Sequence, residues 1–223
     1  MTRTITTTRF PWNTIDTVLL DMDGTLLDKY FDDYFWEKYV PLNYARKHRL
    51  TNAEAEKALM AKYRSVESTL QWTDLYYWTE QLDLDIIKLK NEIHHLINVH
   101  EHVFDFFRFI KGMNKKLCLV TNAHSKTLEI KLAKTNIGPF FDNILCSEEV
   151  GEAKEHPQFW HNLENFIEFK KDRTLFADDT EKVLQAAGQY GIEHLVHIAR
   201  PSTRMPLRYS ENFFSIADFG ELL

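Results

Sequence analysis

Cysteine is scarce in this 223-residue chain: there are two, Cys118 and Cys146, and both lie inside apolar runs. So small a number excludes a disulfide-stapled scaffold, and two buried, reduced thiols are expected rather than one bridge. No stretch approaches the roughly 18 consecutive apolar residues that a membrane span needs. The first ten residues, Met1 to Phe10, lack the apolar segment of a leader peptide, so a cytoplasmic protein with no membrane partner is expected. Basic charge is also short: 27 Lys and Arg against 33 Asp and Glu leave a net charge of −6. That balance gives no general attraction for nucleic acid. Repeats and low-complexity tracts are absent. With 44% hydrophobic and 13% aromatic residues, the chain is not disordered. Its length suits one large domain, or a core with a smaller domain inserted.

What the chain does have is concentrated in residues 16–28, Asp-Thr-Val-Leu-Leu-Asp-Met-Asp-Gly-Thr-Leu-Leu-Asp. Val18, Leu19 and Leu20 run into Asp21 and Asp23, and Gly24 turns the chain. An unbroken apolar run fits a strand buried on both faces. Two carboxylates at its end are costly without a metal, a proton or a substrate role.

Four further apolar runs read as buried strands: Leu117 to Val120, Asn143 to Cys146, Thr174 to Ala177 and Leu195 to Ala199. Segments of helical length separate them. Ser125 is expected to cap a helix through Lys134, with Leu128, Ile130 and Leu132 among its apolar positions. His156 to Phe169 has apolar residues at helical spacing, and Thr180 to Tyr190 is closed by Gly191. Strands alternating with helices imply an α/β fold, a Rossmann-like parallel sheet joined by right-handed crossovers. Residues 30–102 break the pattern. They read as four helices, one opened by the capping box Thr51-Asn52-Ala53-Glu54 and another, Ile86 to Leu96, capped by Asp85. The expected division is a catalytic core of residues 1–29 and 103–223 with an inserted helical cap of residues 30–102.

In a parallel sheet the strand C-termini share one edge, where ligands bind. Chain order alone therefore gathers Asp21, Asp23, Thr121, Asn122, Lys154, Asp178 and Asp179 at one pocket. That set suits phosphoryl transfer. Asp21 and Asp178 offer the oxygen ligands that Mg²⁺ prefers. A carboxylate near a phosphoryl group can attack it, and Asp23 is placed to protonate the leaving oxygen and later activate water. Lys154 and the Thr121 hydroxyl would bind the equatorial oxygens, whose charge grows in the transition state.

Asp-Met-Asp-Gly-Thr at the first strand end, then Thr121-Asn122, Lys154 and Asp178-Asp179, resemble the four ordered motifs of the haloacid dehalogenase-like hydrolases. The resemblance spans the chain. It implies a Rossmann-like core, Mg²⁺, an aspartyl-phosphate intermediate and a mobile cap after the first motif. It makes Asp21 the nucleophile, Asp23 the acid/base with its backbone carbonyl on the metal, and Asp178 a metal ligand. Asp179 would orient Lys154 or a metal-bound water. Within the superfamily, Phe31-Asp32, Tyr34-Phe35-Trp36, Val40-Pro41, Tyr77-Trp78 and Thr121-Asn122-Ala123-His124 are similar to the bacterial GMP/IMP nucleotidases. The implied substrate is a small phosphorylated molecule, a purine 5′-monophosphate, bound by Asn122 and Lys154 and by Phe31 and Trp36 of the cap. The alternatives are a sugar-phosphate phosphatase, a phosphoglucomutase-like enzyme, or a non-catalytic phosphate-binding module. A monomer or a homodimer fits equally.

Two departures from the superfamily pattern stand out. Lys154 is followed by Glu155-His156-Pro157 rather than directly by proline, and Ala177 precedes the fourth motif where glycine is frequent. A calcium loop is excluded, because position six from Asp21 is Leu26 rather than glycine and position twelve is Asp32 rather than glutamate. His94, His95, His100 and His102 match no common zinc spacing and are expected as solvated or hinge histidines. Lys126, Lys131 and Lys134 are expected on the surface.

Overall fold

The computed structural model describes residues 10–67 and 69–223, so most of the N-terminal stretch read above as lacking a leader lies outside the described residues. The chain opens with β1 (Thr17–Leu20) and then enters a helical segment: α1 (Tyr30–Tyr34), a π-helical turn (Phe35–Tyr39), α2 (Val40–His48), α3 (Asn52–Val66), α4 (Leu70–Thr73), α5 (Leu75–Leu82) and α6 (Ile86–Glu92). It returns through α7 (Val103–Gly112), β2 (Lys116–Thr121), α8 (Ser125–Thr135), β3 (Asn143–Cys146), α9 (Ser147–Val150) and α10 (Pro157–Leu163). The remainder is β4 (Thr174–Asp178), α11 (Glu181–Tyr190), β5 (His194–Ile198) and β6 (Phe214–Ile216).

The six strands form one sheet in the order β3-β2-β1-β4-β5-β6, and every pairing is parallel. Alternation along β1 sorts the core into two layers. Val18 and Leu20 face one side with Leu117, Leu119, Leu175 and Ala177, against Phe106, Phe107 and Ile110 of α7. Leu19 faces the other with Cys118, Val120 and Phe176, against Phe159, Trp160 and Leu163 of α10 and Leu184 of α11. All three β1 residues are fully buried, each worth roughly 1.5–3 kcal/mol of transfer free energy. Leu20 lies opposite Leu119 on one neighbour and Ala177 on the other, so the C-terminal ends of the three central strands are level.

Both cysteines are buried and unbridged, and burial pushes Cys118 up to about 12 and Cys146 up to about 11. The thiols are inert at neutral pH. No helix among the described residues is long and apolar enough to cross a membrane.

Several element boundaries differ from the sequence reading, each for a local reason. A sixth strand, β6, is three residues long and exists through its pairing with β5. The helix after β2 is capped by His124, not Ser125: His124 Nδ1 accepts the Lys126 N–H at 3.2 Å. Its buried positions are Thr127, Leu128 and Lys131, with Ile130 and Leu132 half-buried. The helix begun at Pro157 stops at Leu163, and Ile167 enters the apolar layer from a turn. Helix α6 likewise ends at Glu92, with His94–Leu96 forming a separate 3-10 turn. The helical segment has six α-helices rather than four: a π-helical turn separates α1 from α2 within one continuous helical run, and Asp74 accepts the Tyr76 and Tyr77 N–H groups and starts α5 afresh after the single turn of α4. The Thr51 and Glu54 capping box forms reciprocally.

Residues 200–204 lie across both links between this segment and the sheet. Asp28 accepts from the Tyr30 N–H and the Thr203 hydroxyl, while Pro201 carbonyl oxygen accepts from the Lys29 N–H and lies 3.2 Å from His100 Nε2.

Candidate active site

The turn after β1 sends two neighbouring carboxylates to different partners. The Asp21 N–H still donates to Ala177 carbonyl oxygen at 3.0 Å, which holds Asp21 at the sheet edge one residue past the strand. The chain then folds tightly: Met22 carbonyl oxygen accepts the Leu26 and Leu27 N–H groups at 2.9 and 2.8 Å, and Gly24 N–H donates to Leu27 at 2.7 Å. Gly24 has φ +86°, and a Cβ there would lie 2.6 Å from Asp179 Oδ2. Both the backbone sign and the close approach require glycine. Asp21 consequently faces β4, and Asp23 faces α8.

Asp21 sits with Asp178 and Asp179 such that one carboxylate oxygen from each lies within 4.8 Å of the others. Among the described residues this is the one group of three or more His, Cys, Asp or Glu side chains close enough to share a cation; the four histidines near residue 100 form none. Lys154, 2% exposed, bridges the site: its Nζ donates to Asp178 Oδ2 at 2.7 Å and to Asp21 Oδ1. Burial alone would favour a neutral Lys154 amine, but Asp178 and Asp21 outweigh it and raise the ammonium above its ordinary value. Burial also raises both carboxyl groups against the pull of Lys154; Asp21 adds to the rise at Asp178, which reaches about 8. Asp179 pairs with Lys29 at 3.1 Å. Asp178, not Asp179, therefore holds Lys154 in this arrangement. Three carboxyl groups, two of them buried, converge here with two ammonium groups as an all-oxygen donor set. That chemistry fits a hard divalent cation.

The loop after Lys154 is built around its departure from the usual pattern. Asn122 Oδ1 accepts the Lys154 N–H at 3.0 Å, and Asn122 Nδ2 donates to Glu155 at 2.9 Å. Trp160 Nε1 donates to the Lys154 carbonyl at 2.9 Å. Glu155 thus ties the loop to β2 through Asn122, both of whose amide groups are engaged in positioning Lys154. Thr121, 1% exposed, accepts the Ala123 N–H at 3.0 Å through Oγ1 and keeps its own O–H proton to donate.

On the other side of the turn lies a charge line that the sequence reading does not contain. Asp23 Oδ1 accepts from Lys131 Nζ at 2.6 Å; Lys131 also reaches Asp32 Oδ2 at 2.5 Å, and Asp32 Oδ1 takes Lys90 at 3.1 Å. Lys131 and Lys90 are 1% and 2% exposed, so the expectation of a surface Lys131 is corrected. The signal available was position: Lys131 follows the buried Leu128 by three residues on the packed face of α8. Burial pushes Asp23 up to about 6, with Lys131 opposing and Asp32 adding to the rise.

Above these groups a cleft of about 720 Å³ lies between sheet edge and helical segment. Asp21, Asp23, Thr121, Asn122, Lys154, Asp178 and Asp179 all line it. From the helical segment Trp36, Tyr63 and Trp72 face it, with the Trp36 and Trp72 rings 6.5 Å apart and 28° from parallel. Phe31 is placed differently: it is 1% exposed, lies outside the cleft lining and packs 6.4 Å from Phe35 beneath the lysines. His124, also a lining residue, stands between Asp74 of the helical segment and Glu148 of the sheet side, 3.7 Å from each.

A parallel sheet bearing these four ordered motifs at one edge, with helices inserted after the first strand, defines a hydrolase class. Residues 15–191 match the family described as haloacid dehalogenase-like hydrolase, and the chain belongs to that family. It is 37% identical over 212 residues, 95% of this chain and 96% of the relative, to the GMP/IMP nucleotidase YrfG of Escherichia coli strain K12. A pyrophosphatase, PpaX, of Anoxybacillus flavithermus is 25% identical over 79% of this chain and 80% of its own. Among solved structures, a HAD phosphatase from Thermococcus onnurineus superposes with a TM-score of 0.76 at 20% identity, covering 93% of this chain and 96% of that one. At that identity the likeness speaks for the fold.

Proposed function

We propose that this protein hydrolyses purine nucleoside 5′-monophosphates, GMP and IMP among them, to nucleoside and phosphate. The observation that carries the reading is the meeting of Asp21, Asp178 and Lys154 at the foot of a cleft whose far wall is aromatic. The likeness to the Escherichia coli nucleotidase extends over the helical segment as well as the sheet, which supports the substrate class.

Asp21, Asp178 and Asp179, with the backbone carbonyl of Asp23, would hold Mg²⁺. The ion supplies charge neutralisation to the phosphoryl oxygens when bound. An Asp21 oxygen attacks phosphorus, and Asp23 gives its proton to the departing ester oxygen. Asp23 then takes a proton from the water that cleaves the aspartyl-phosphate. Lys154 and the Thr121 hydroxyl bind phosphoryl oxygens, and Asn122 keeps the Lys154 loop in place. Residues 30–102 act as a cap over the core of residues 1–29 and 103–223, and Trp36 offers the purine a stacking surface. A cytoplasmic location suits an enzyme that acts on soluble nucleotides.

Phosphate release from a panel of GMP, IMP, other nucleotides and hexose phosphates tests the assignment. GMP and IMP should rank first in kcat/KM, and Asp21→Asn should abolish turnover of every substrate. Hexose phosphates ranking above GMP would move the assignment to a sugar-phosphate phosphatase or mutase-like enzyme. A parent without any turnover would leave a phosphate-binding module.

A further inference from the structure

Asp23, Lys131, Asp32 and Lys90 form a line that begins on the sheet side and ends inside the helical segment. Burying two ammonium groups is costly unless both are paired, and apolar residues of similar volume would serve packing at least as well. The two lysines differ in what they join. Lys90 holds Asp32 within one segment, and its Nζ lies 4.4 Å from the Phe35 ring centre. Lys131, from α8, holds Asp23 and Asp32 together across the boundary, 2.6 and 2.5 Å away, with its Nζ 5.3 Å from the centre of the Phe31 ring. One Asp23 oxygen is thereby fixed, which stops the carboxyl from rotating and leaves Oδ2 for proton transfer. Asp32 and Phe31 belong to the helical segment, so withdrawal of that segment removes half of what holds Lys131.

We propose that Lys131 is a positioning residue: it aligns Asp23 for proton transfer, and it does so fully only while Asp32 of the docked helical segment grips its other side. This rests on the phosphomonoesterase reading. In the step concerned, an Asp21 oxygen–phosphorus bond forms and the ester oxygen–phosphorus bond breaks. The electron pair stays on the departing oxygen, which takes the proton carried by Asp23 and leaves as the alcohol.

Leaving-group dependence of kcat/KM isolates that step. GMP releases an alkoxide that must be protonated, whereas 4-nitrophenyl phosphate releases a phenolate that leaves unaided at neutral pH. General acid catalysis is worth about 10²- to 10⁴-fold. Misaligning the acid without removing it should therefore cost Lys131→Met about 30-fold or more in kcat/KM on GMP, and less than about threefold on the aryl phosphate. Lys131→Arg, which can still reach two carboxylates, should recover much of the loss. Asp32→Asn, which leaves Lys131 on Asp23 and removes the charge on the segment side, should lower the GMP value about tenfold and spare the aryl ester. It also serves if Lys131→Met fails to fold by circular dichroism. Equal losses on both substrates, or no loss on GMP, would overturn the inference while leaving the phosphomonoesterase reading intact. A parent inactive on both, and on ribose 5-phosphate, would overturn the two together.

Discussion

Gly24→Ala concentrates the demands of the site in a single methyl group. At φ +86° an alanine strains the backbone, at a cost of about 1–2 kcal/mol. Its Cβ would also sit 2.6 Å from Asp179 Oδ2, 2.7 Å from Asp179 Cγ and 3.0 Å from Pro201 Cβ. Asp179 cannot simply swing away, since its Oδ2 holds Lys29 at 3.1 Å. Overpacking of this kind costs about 1–3 kcal/mol. The substitution should therefore destabilise by about 2–5 kcal/mol, and at 2–4 °C per kcal/mol for a chain of this size Tm should fall by about 4–20 °C. A double-mutant cycle with Asp179→Ala separates the two contributions. Without the Asp179 carboxylate, Gly24→Ala should cost less than in the parent, down to the backbone share of about 1–2 kcal/mol plus what the 3.0 Å contact with Pro201 Cβ adds, measured by urea unfolding. Identical costs in the two backgrounds would refute the contact argument, and a Gly24→Ala protein within 1 °C of the parent would refute both.

Two further substitutions probe the charges. Lys154→Met leaves Asp21 and Asp178 buried without their shared ammonium, which should destabilise the protein by about 3–5 kcal/mol in EDTA. Mg²⁺ should restore part of that loss and raise Tm more in the variant than in the parent; equal Mg²⁺ responses would contradict the assigned cation site. Asp32 is held down to about 2 from 3.8: burial raises it, but Lys131 and Lys90 outweigh the burial. Its contribution, about 2 kcal/mol, is fully present above the unfolded value and is lost as pH falls from about 4 towards 2. The stability gap between the parent and Asp32→Asn in urea should accordingly narrow between pH 5 and pH 3; parallel curves would refute it.

The central strands and the motif residues are legible along the chain because their signals are local. Val18 to Leu20 form an unbroken apolar run, and the register that levels Leu20 with Leu119 and Ala177 follows once the strands are parallel. Asp21 and Asp178 meet for that reason, while Lys154, in the loop after α9, reaches them because Asn122 and Glu155 hold that loop. Strand β6 is invisible to the same reading because three residues carry no periodicity, and only the edge of β5 makes them a strand. The Lys131 line is hidden for another reason. Lysine ordinarily signals solvent, and what buries Lys131 is the joint presence of Asp23 and Asp32, 108 and 99 residues away in sequence but a hydrogen bond away in space.

Chain order and residue type by themselves determine the fold class, the helical insertion after the first strand and the phosphoryl-transfer chemistry of the sheet edge, since each rests on local pattern and on the sidedness of parallel strands. Tertiary structure alone decides how the charges are shared out. It gives Lys154 to Asp21 and Asp178, Lys29 to Asp179, and Lys131 to Asp23 and Asp32, because a buried ammonium must find whichever carboxylates the packing brings within reach. It also sends Phe31 beneath the cleft and Trp36 to its wall, a choice that turns on which side of a helix meets the sheet.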